Sequence, residues 1–176
     1  MTKELAERDT LTTLYNRRVF NLILEKLISR AKMDNRQVAL LYLDIDNFKF
    51  VNDNYGHAVG DELLKVFAYR LHEIVRGSDI FFNNKQDEDP TVARLAGDEF
   101  AVIIHGYTET DTARKVSHRL LALCDNGFTC EAGTFPISLS IGLAAYPQDG
   151  QTAEELIVNA DSAMYESKKR GKNTVS

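Results

Sequence analysis

Hydrophobic residues recur along the chain at two different spacings, which predict helices and strands respectively. Apolar positions three and four residues apart are typical of a helix that buries one face against a core. This spacing predicts four helices, over residues 17–32, 60–75 and 108–123 and from Thr152 to near Gly171. Continuous or alternating apolar runs predict strands at 38–43, at 135–146 and in two short segments within 92–104. This mixture predicts an α+β fold, in which one sheet carries helices packed against it.

Local sequence signals mark the limits of these elements. Thr152 with Glu155 three residues later matches a capping box, which is a common start of a helix. The segment 81–91, FFNNKQDEDPT, is polar and rich in turn-forming residues after its two Phe residues, and it predicts a loop. The apolar runs VARL and FAVII flank the sequence AGDE at 96–99. We therefore expect a hairpin with a tight turn there, the 96–99 turn.

Composition and charge restrict the class of protein. The chain has 176 residues, enough for about one domain, and two cysteines, Cys124 and Cys130, without a metal-ligand spacing. These cysteines suit a reducing compartment. The net charge of −5 argues against binding of nucleic acid, so a phosphate ligand would need a local group of donors. The chain shows neither an apolar run of ~20 residues nor a signal-peptide core in MTKELAERDT. We expect a cytoplasmic domain without direct membrane contact.

Two pairs of carboxylates stand where predicted strands end. Asp44 and Asp46 directly follow the apolar run VALLYL, and Asp98 and Glu99 lie in the 96–99 turn. If the two strand segments are neighbours, the carboxylates converge on one edge of the sheet, where hard oxygen ligands favour Mg²⁺ or Mn²⁺. Such an ion is usually shared with a nucleoside triphosphate. For either pair alone, solvated strand ends are an equal alternative.

Lysines at two places in the chain are candidate phosphate donors. Lys49 lies five residues after Asp44, and Lys168 and Lys172 are four residues apart. The latter two share one helix face if the last helix extends that far. The alternative is that lysines near a helix C-terminus only interact favourably with the helix dipole.

A polar pair, Asn52 and Asp61, could recognise a purine base. An Asn amide and an Asp carboxylate together complement the edge of guanine, which presents N–H donors and a carbonyl acceptor. The alternatives are a turn residue for Asn52 and a carboxylate at a helix N-terminus for Asp61.

Four motifs follow one another along the chain and together resemble a known family. They are D-x-L-T-x-L-x-N-R-R from Asp9, D-I-D-x-F-K-x-x-N-D-x-x-G-H-x-x-G-D from Asp44, A-G-D-E-F from Ala96 and K-x-x-G-K-N from Lys168. This order resembles the GGDEF family of diguanylate cyclases over nearly the whole chain. The resemblance implies a palm-like fold, similar to nucleotidyl cyclases and to ferredoxin-like sheets. It also implies that two GTP become cyclic di-GMP and two pyrophosphates in an antiparallel homodimer, with one GTP on each protomer.

The resemblance also implies roles for individual residues near the metal. Asp44 and Asp98, with the Ile45 carbonyl, look like ligands of Mg²⁺ or Mn²⁺. Glu99 looks like either a further metal ligand or the base that accepts the proton of the 3′-hydroxyl. These two roles are not distinguished by the sequence.

The resemblance to the family also implies which residues contact the substrate. The backbone around Phe48 and Lys49 and the side chains of Lys49, Lys168 and Lys172 would bind the β- and γ-phosphates. The family commonly has Arg where this chain has Lys172, and Lys keeps the charge but loses the bidentate fork. Asn52 and Asp61 would bind guanine, which favours GTP over ATP.

The 96–99 turn departs from the family pattern, because Ala96 stands where the family has Gly. Ala96 and Gly97 are expected beside the substrate. If the first position needs a positive φ, Ala costs about 1 kcal/mol, whereas a need for a small side chain alone leaves room for one methyl group. All charged residues of the motif are intact, so we expect an active cyclase, with Ala96 as the one change in the motif that could slow it. The alternative is a degenerate domain that binds GTP or cyclic di-GMP and regulates a neighbouring domain.

A second departure concerns product inhibition, for which the family uses Arg-x-x-Asp five residues before the 96–99 turn. At that spacing the chain has Asp87 and Pro90, which cannot bind in this way. The same pattern occurs upstream as Arg76 and Asp79, and these residues could form the inhibitory site for cyclic di-GMP if 81–91 bulges out. The alternative is an ordinary arginine at a helix end and an aspartate in a turn.

The four motifs occupy almost the entire length, so we expect residues 1–176 to be a single GGDEF-type domain. We also expect it to come from a longer signalling protein, which could be anchored in a membrane.

Overall fold

A computed structural model describes residues 6–77, 90–107 and 111–176. It contains five α-helices within these residues: α1 (Arg17–Asp34), α2 (Phe48–Tyr55), α3 (His57–Arg76), α4 (Thr112–Leu121) and α5 (Ala153–Lys169). The strands are β1 (Gln37–Asp46), β2 (Thr91–Ala96), β3 (Glu99–Tyr107), β4 (Phe128–Cys130), β5 (Gly133–Phe135), β6 (Ser138–Tyr146) and β7 (Thr174–Val175). The predicted α+β class is confirmed.

Five strands form the central sheet in the order β2-β3-β1-β6-β7. All its pairs are antiparallel except that of β6 with β7. The apolar run of β1 is paired on both sides and is buried from Val38 to Asp46. A strand covered on both faces needs this continuous apolar sequence, so the prediction of a buried central strand is confirmed.

Helices cover both faces of the sheet. Alternate residues of β1 point to opposite faces, so that Leu41 packs in a cluster with α3 and α4, whereas Leu40 packs in a cluster with α1 and α5. Helix α5 lies directly on β6, where a Cβ atom at Gly142 would stand 1.9 Å from the carbonyl oxygen of Ala160. This close contact fixes the depth at which α5 is seated.

The structure differs from the predictions mainly around short elements. The eight-residue α2 was not predicted, because Phe48 and Val51 alone are buried in it and give no helical stripe. Gly56, with φ of 88°, separates α2 from α3, which therefore starts at His57 rather than at residue 60. The predicted strand 135–146 is divided into β5 and β6 by residues 136 and 137.

Two other predictions lie partly outside the described residues. Residues 81–89 of the predicted loop fall there, whereas Thr91 already begins β2. Residues 108–110 of the predicted helix 108–123 fall there too, and α4 begins at Thr112. In the part of the chain that the structure covers, none of the helices combines the length and apolar character needed to cross a membrane.

Candidate active site

Carboxylates from β1 and the 96–99 turn meet at one end of the central sheet. Asp44 pairs in register with Glu99 of β3, and partners in register present their side chains on the same face. The Ile45 N–H donates to the Asp98 carbonyl oxygen at 3.2 Å, so the turn is held against the end of β1. Of the four carboxylates that the sequence places at this edge, Asp44, Asp98 and Glu99 come together, whereas Asp46 does not join them and bonds to Ser138 and Ser140 instead.

The electrostatics of Asp44 are those of a carboxylate short of positive charge. The residue is only 5% exposed, and burial, aided by the neighbouring Asp98 carboxyl group, raises the pKa of Asp44 to about 6. A hydrogen bond from Lys168 opposes this rise. Because water is excluded, an ion that reached Asp44 and Asp98 would gain more here than at the surface.

Lys168 forms an ion pair with Asp44 through its Nζ atom. Burial alone would lower the pKa of Lys168, but the hydrogen bond and the negative charge of Asp44 raise it above its ordinary value. The ammonium group is therefore the cation that compensates Asp44 in this structure. An open groove of about 650 Å³ adjoins the pair and is lined by Asp44, Glu99, Lys168 and other residues of the C-terminal half of α5.

The donor set has the chemistry that Mg²⁺ or Mn²⁺ prefers, namely two hard carboxylates and a backbone carbonyl. Asp44 and Asp98 lie close enough to hydrogen bond through their side chains. Glu99 lines the same groove, but its carboxylate pairs with Arg17 at 3.7 Å. Consequently, no three acidic, histidine or cysteine side chains within the described ranges form a ready group for a metal ion. Asp44, Asp98 and the Ile45 carbonyl thus fit a divalent ion in kind, and Glu99 would join them by leaving Arg17.

The backbone of the 96–99 turn shows which residue needs glycine. Gly97 has φ of 41°, in the left-handed region, whereas Ala96 has no positive φ and is exposed. The Ala96 methyl group therefore causes no backbone strain, and the more costly alternative for this substitution does not apply. Arg94 supports the turn, because its Nε donates to the Gly97 carbonyl oxygen at 2.8 Å and its Nη1 binds Asp9 at 3.1 Å.

The start of α2 offers donors for an anion. Asn47, which precedes the helix, has φ of 66° and makes no capping hydrogen bond with its side chain. The first N–H groups of a helix without such a cap, together with the helix dipole, favour phosphate. Lys49 extends into solvent with a side chain 91% exposed, and Lys172 Nζ donates to Asn47 Oδ1 at 3.3 Å. Phe48, Lys49 and Lys172 are thus gathered at this helix start.

Lys168 and Lys172 do not share a helix face, because the condition for it is not met and the last helix ends before Lys172. Helix α5 ends at Lys169, and Gly171, Lys172 and Asn173 follow with positive φ angles of 108°, 68° and 49°. This turn sends Lys172 toward α2, while Lys168 reaches back to Asp44. The two lysines therefore meet different residues, Asp44 within β1 and Asn47 just before α2.

The predicted base-binding pair lies at the junction of α2 and α3. Asn52 Oδ1 is buried and has no hydrogen-bond partner among the described residues. It lies against Gly60, where a Cβ atom would be only 1.9 Å away, and the exposed Asp61 follows directly. A buried hydrogen-bond acceptor without a donor is unfavourable in a native protein, and such groups occur at ligand sites.

The predicted inhibitory pair is described only in part. Arg76 is the last residue of α3 and is exposed. Asp79 lies outside the described residues, so the pairing of these two residues stays a prediction.

The whole arrangement can now be compared with known proteins. Residues 6–174 match the family described as “Diguanylate cyclase, GGDEF domain”. The chain belongs to the GGDEF domain family. This GGDEF domain is 42% identical over 176 residues to the biofilm architecture maintenance protein MbaA of Vibrio cholerae, a match that covers 99% of the chain and 22% of MbaA. It is 41% identical over 170 residues to the bifunctional diguanylate cyclase/cyclic di-GMP phosphodiesterase MucR of Pseudomonas aeruginosa, covering 97% of the chain and 23% of MucR.

The fold agrees with the sequence comparison. A solved structure of the GGDEF domain of TpbB from Pseudomonas aeruginosa matches with a TM-score of 0.84 at 34% identity, covering 96% of this chain and 92% of that one. The implied palm-like fold and the family resemblance are therefore confirmed. The GGDEF domain spans about a fifth of the length of MbaA and MucR.

Sequence reasoning missed the residues that support this GGDEF domain's site from behind. Asp9 and Arg94 hold the 96–99 turn, and Arg17 holds Glu99. Asp46 accepts hydrogen bonds from Ser138 and Ser140 instead of facing the groove. Asp46 was expected among the converging carboxylates, and Asp9 was noted only as the start of a motif, because the partners of both residues are distant in sequence.

Proposed function

We propose that this GGDEF domain is a diguanylate cyclase that condenses two GTP molecules into cyclic di-GMP and releases two pyrophosphates. The observation that carries the proposal is the buried Asp44 carboxylate, which adjoins Asp98 and has its pKa raised to about 6. Burying a carboxylate beside a second carboxyl group is unfavourable unless a cation compensates them. The divalent ion that accompanies a nucleoside triphosphate would supply that positive charge, and the start of α2, four residues further on, suits the phosphates.

The residues around Asp44 would bind the divalent metal ion. Asp44, Asp98 and the Ile45 carbonyl would hold Mg²⁺ or Mn²⁺, with Glu99 as a further ligand or as the base for the 3′-hydroxyl. When bound, such an ion polarises the phosphoryl group and neutralises the leaving pyrophosphate.

Phosphate binding would fall to the lysines and to the start of α2. The N–H groups of Phe48 and Lys49 and the ammonium groups of Lys49 and Lys172 would hold the β- and γ-phosphates. Lys168, already at Asp44, would meet a phosphate that approaches the metal ligands. Ala96 and Gly97 would lie beside the nucleotide, where the small side chains leave it room.

Guanine recognition would use the junction of α2 and α3. Asn52 has a buried oxygen that lacks a donor in the described part of the chain, and the N–H groups of guanine are suitable donors. The exposed Asp61 carboxylate would accept from the same edge of the base. Adenine presents a different donor pattern, so this pair would select GTP.

The test of the proposal is turnover of GTP over a series of protein concentrations. Two half-sites must meet, so the rate per protomer in GTP and Mg²⁺ should rise with protein concentration as cyclic di-GMP and pyrophosphate form. Asp98→Asn should slow product formation about 100-fold, by analogy with other removed charge stabilisers. Asp149→Asn is the matched control, since this exposed carboxylate lies at the far end of β6. Absence of product at the highest concentration contradicts the proposal.

A second candidate is a module that binds GTP or cyclic di-GMP without turnover and regulates a neighbouring domain. Two observations favour it: Lys168 already compensates Asp44, and Glu99 pairs with Arg17. Under this hypothesis, either nucleotide raises the melting temperature while no product forms. A ligand at 100 times its Kd adds ~2.7 kcal/mol to stability, which is large enough to detect.

Product inhibition is a separate part of the proposal. Arg76 at the end of α3 would bind cyclic di-GMP together with Asp79. Arg76→Ala should then leave the initial rate unchanged and abolish the slowing that added cyclic di-GMP causes. Inhibition that survives in this variant contradicts the assignment.

A further inference from the structure

Asp46 is a buried carboxylate with three hydrogen bonds and no place in the proposed chemistry. It is 3% exposed at the end of β1. The hydroxyl groups of Ser138 and Ser140 each donate to it at 2.7 Å, and the Asn173 N–H donates at 3.2 Å. Charge-assisted hydrogen bonds of this kind are strong. Asp46 therefore ties the C-terminal segment firmly to the β1–β6 pair.

The segment that Asp46 holds has an unusual backbone. Gly171, Lys172 and Asn173 all have left-handed φ angles, of 108°, 68° and 49°. Left-handed conformations are unfavourable for residues other than Gly, and two such residues in succession persist only when their surroundings fix them. The hydrogen bond from Asn173 to Asp46 fixes this run at its end.

The same run carries a lysine of the proposed phosphate site. Lys172 Nζ donates to Asn47 Oδ1 at 3.3 Å, beside the uncapped start of α2. Asp46 and Asn47 are adjacent in the chain. Asp46 accepts from the Asn173 N–H of the left-handed turn, and Asn47 accepts from the Lys172 ammonium group. The Lys172 N–H itself donates to the Ser167 carbonyl oxygen at 3.1 Å, so α5 holds the near end of the turn and Asp46 holds its far end, at Asn173.

We propose that Asp46 is a positioning residue, which holds residues 171–173 in their left-handed turn so that Lys172 stays at the phosphate-binding start of α2. This inference rests on the proposed function, because that function gives Lys172 its phosphate. A merely structural carboxylate would affect all ligands alike. A positioning residue would affect only ligands that extend to the β- and γ-phosphates.

The first test compares two nucleotides in Asp46→Asn. Kd for GTP should rise about tenfold, an effect typical of a lost charge-assisted contact, whereas Kd for GMP, which has no β- or γ-phosphate, should stay unchanged. Asp149→Asn is the matched control, because Asp149 accepts from the Ala145 N–H at 2.8 Å near the opposite end of β6. This control should change neither Kd. An equal loss for GTP and GMP in Asp46→Asn overturns the inference.

The second test asks whether Asp46 acts through Lys172. Lys172→Met should itself weaken GTP about tenfold, and the Asp46→Asn/Lys172→Met double variant should be no weaker than Lys172→Met alone. Residues that act through one interaction are non-additive in such a cycle. Losses that multiply to about 100-fold overturn the inference.

A third measurement does not depend on nucleotide binding. The amide hydrogen of Asn173 should exchange faster in Asp46→Asn than in the original chain, and equal exchange overturns the inference. If the original chain binds no GTP, the proposed function fails, while this exchange still decides whether Asp46 anchors the turn. If Asp46→Asn does not fold, Ser138→Ala removes one of the three hydrogen bonds and should show the same pattern at about threefold.

Discussion

The raised pKa of Asp44 predicts that the candidate site weakens the fold at neutral pH. Its value of about 6 in the folded protein compares with an ordinary value of 3.8. A raised acid pKa contributes stability that is fully present below the unfolded-state pKa and is lost as the pH rises through the folded-state pKa. The difference of about 2.2 pKa units, at ~1.36 kcal/mol per unit, corresponds to about 3 kcal/mol.

Asp44→Asn removes this ionisation while keeping the size of the side chain. Relative to the original chain, the variant should therefore gain about 2 kcal/mol of unfolding free energy on going from pH 4.5 to pH 7.5, less than the full difference because the unfolded carboxyl group is already mostly ionised at pH 4.5. Lys168 loses its partner in the variant, but its side chain is 37% exposed and can be hydrated instead. The change with pH thus isolates the buried charge from the lost ion pair.

Urea unfolding with EDTA at both pH values measures this free energy, provided that the slope against urea stays constant. Lys168→Met is the complementary variant: it leaves the Asp44 carboxylate without its cation, so its stability deficit should grow from pH 4.5 to pH 7.5. The reasoning is refuted if Asp44→Asn differs from the original chain by the same amount at both pH values.

Three further predictions concern the 96–99 turn, the contact between Gly142 and α5, and the recognition of guanine by Asp61. Gly97→Ala should lower the unfolding free energy by about 1 kcal/mol because φ is 41°, whereas Ala96→Gly should give no gain; urea unfolding decides, and a stabilised Ala96→Gly contradicts this assignment. Gly142→Ala should cost about 1–3 kcal/mol, because the new Cβ would meet the backbone of α5; an unchanged melting temperature refutes the close contact. Asp61→Ala should raise the Kd for GTP, measured by calorimetry, and should leave the melting temperature of the protein unchanged. An unchanged Kd counts against guanine recognition by Asp61.

The sequence could predict the frame of the molecule because long apolar patterns determine it. The run VALLYL identified β1, and the stripe of α3 is visible in Leu63, Phe67 and Leu71. The short α2 escaped prediction because it buries only Phe48 and Val51 and depends on its neighbours for stability. Its beginning is nevertheless where the candidate phosphate donors are gathered.

The site was predictable in its residues and less so in its geometry. Strand neighbours bring Asp44 to Glu99, as their motifs imply, and the turn brings Asp98. The place of Lys172 depends on a left-handed turn in which Gly171 alone has a recognisable sequence signal. Asp46 gave no signal of its partners, because Ser138 and Ser140 are more than 90 residues away and nothing local indicates them.

The ion pair between Lys168 and Asp44 joins residues 124 positions apart in the chain, on α5 and on the central strand. A nascent or partly unfolded chain therefore has no half-built version of this site, because the last helix must dock before the lysine arrives. A fragment that ends before α5 would lack Lys168 and leave the buried Asp44 carboxylate without the ammonium group that compensates it.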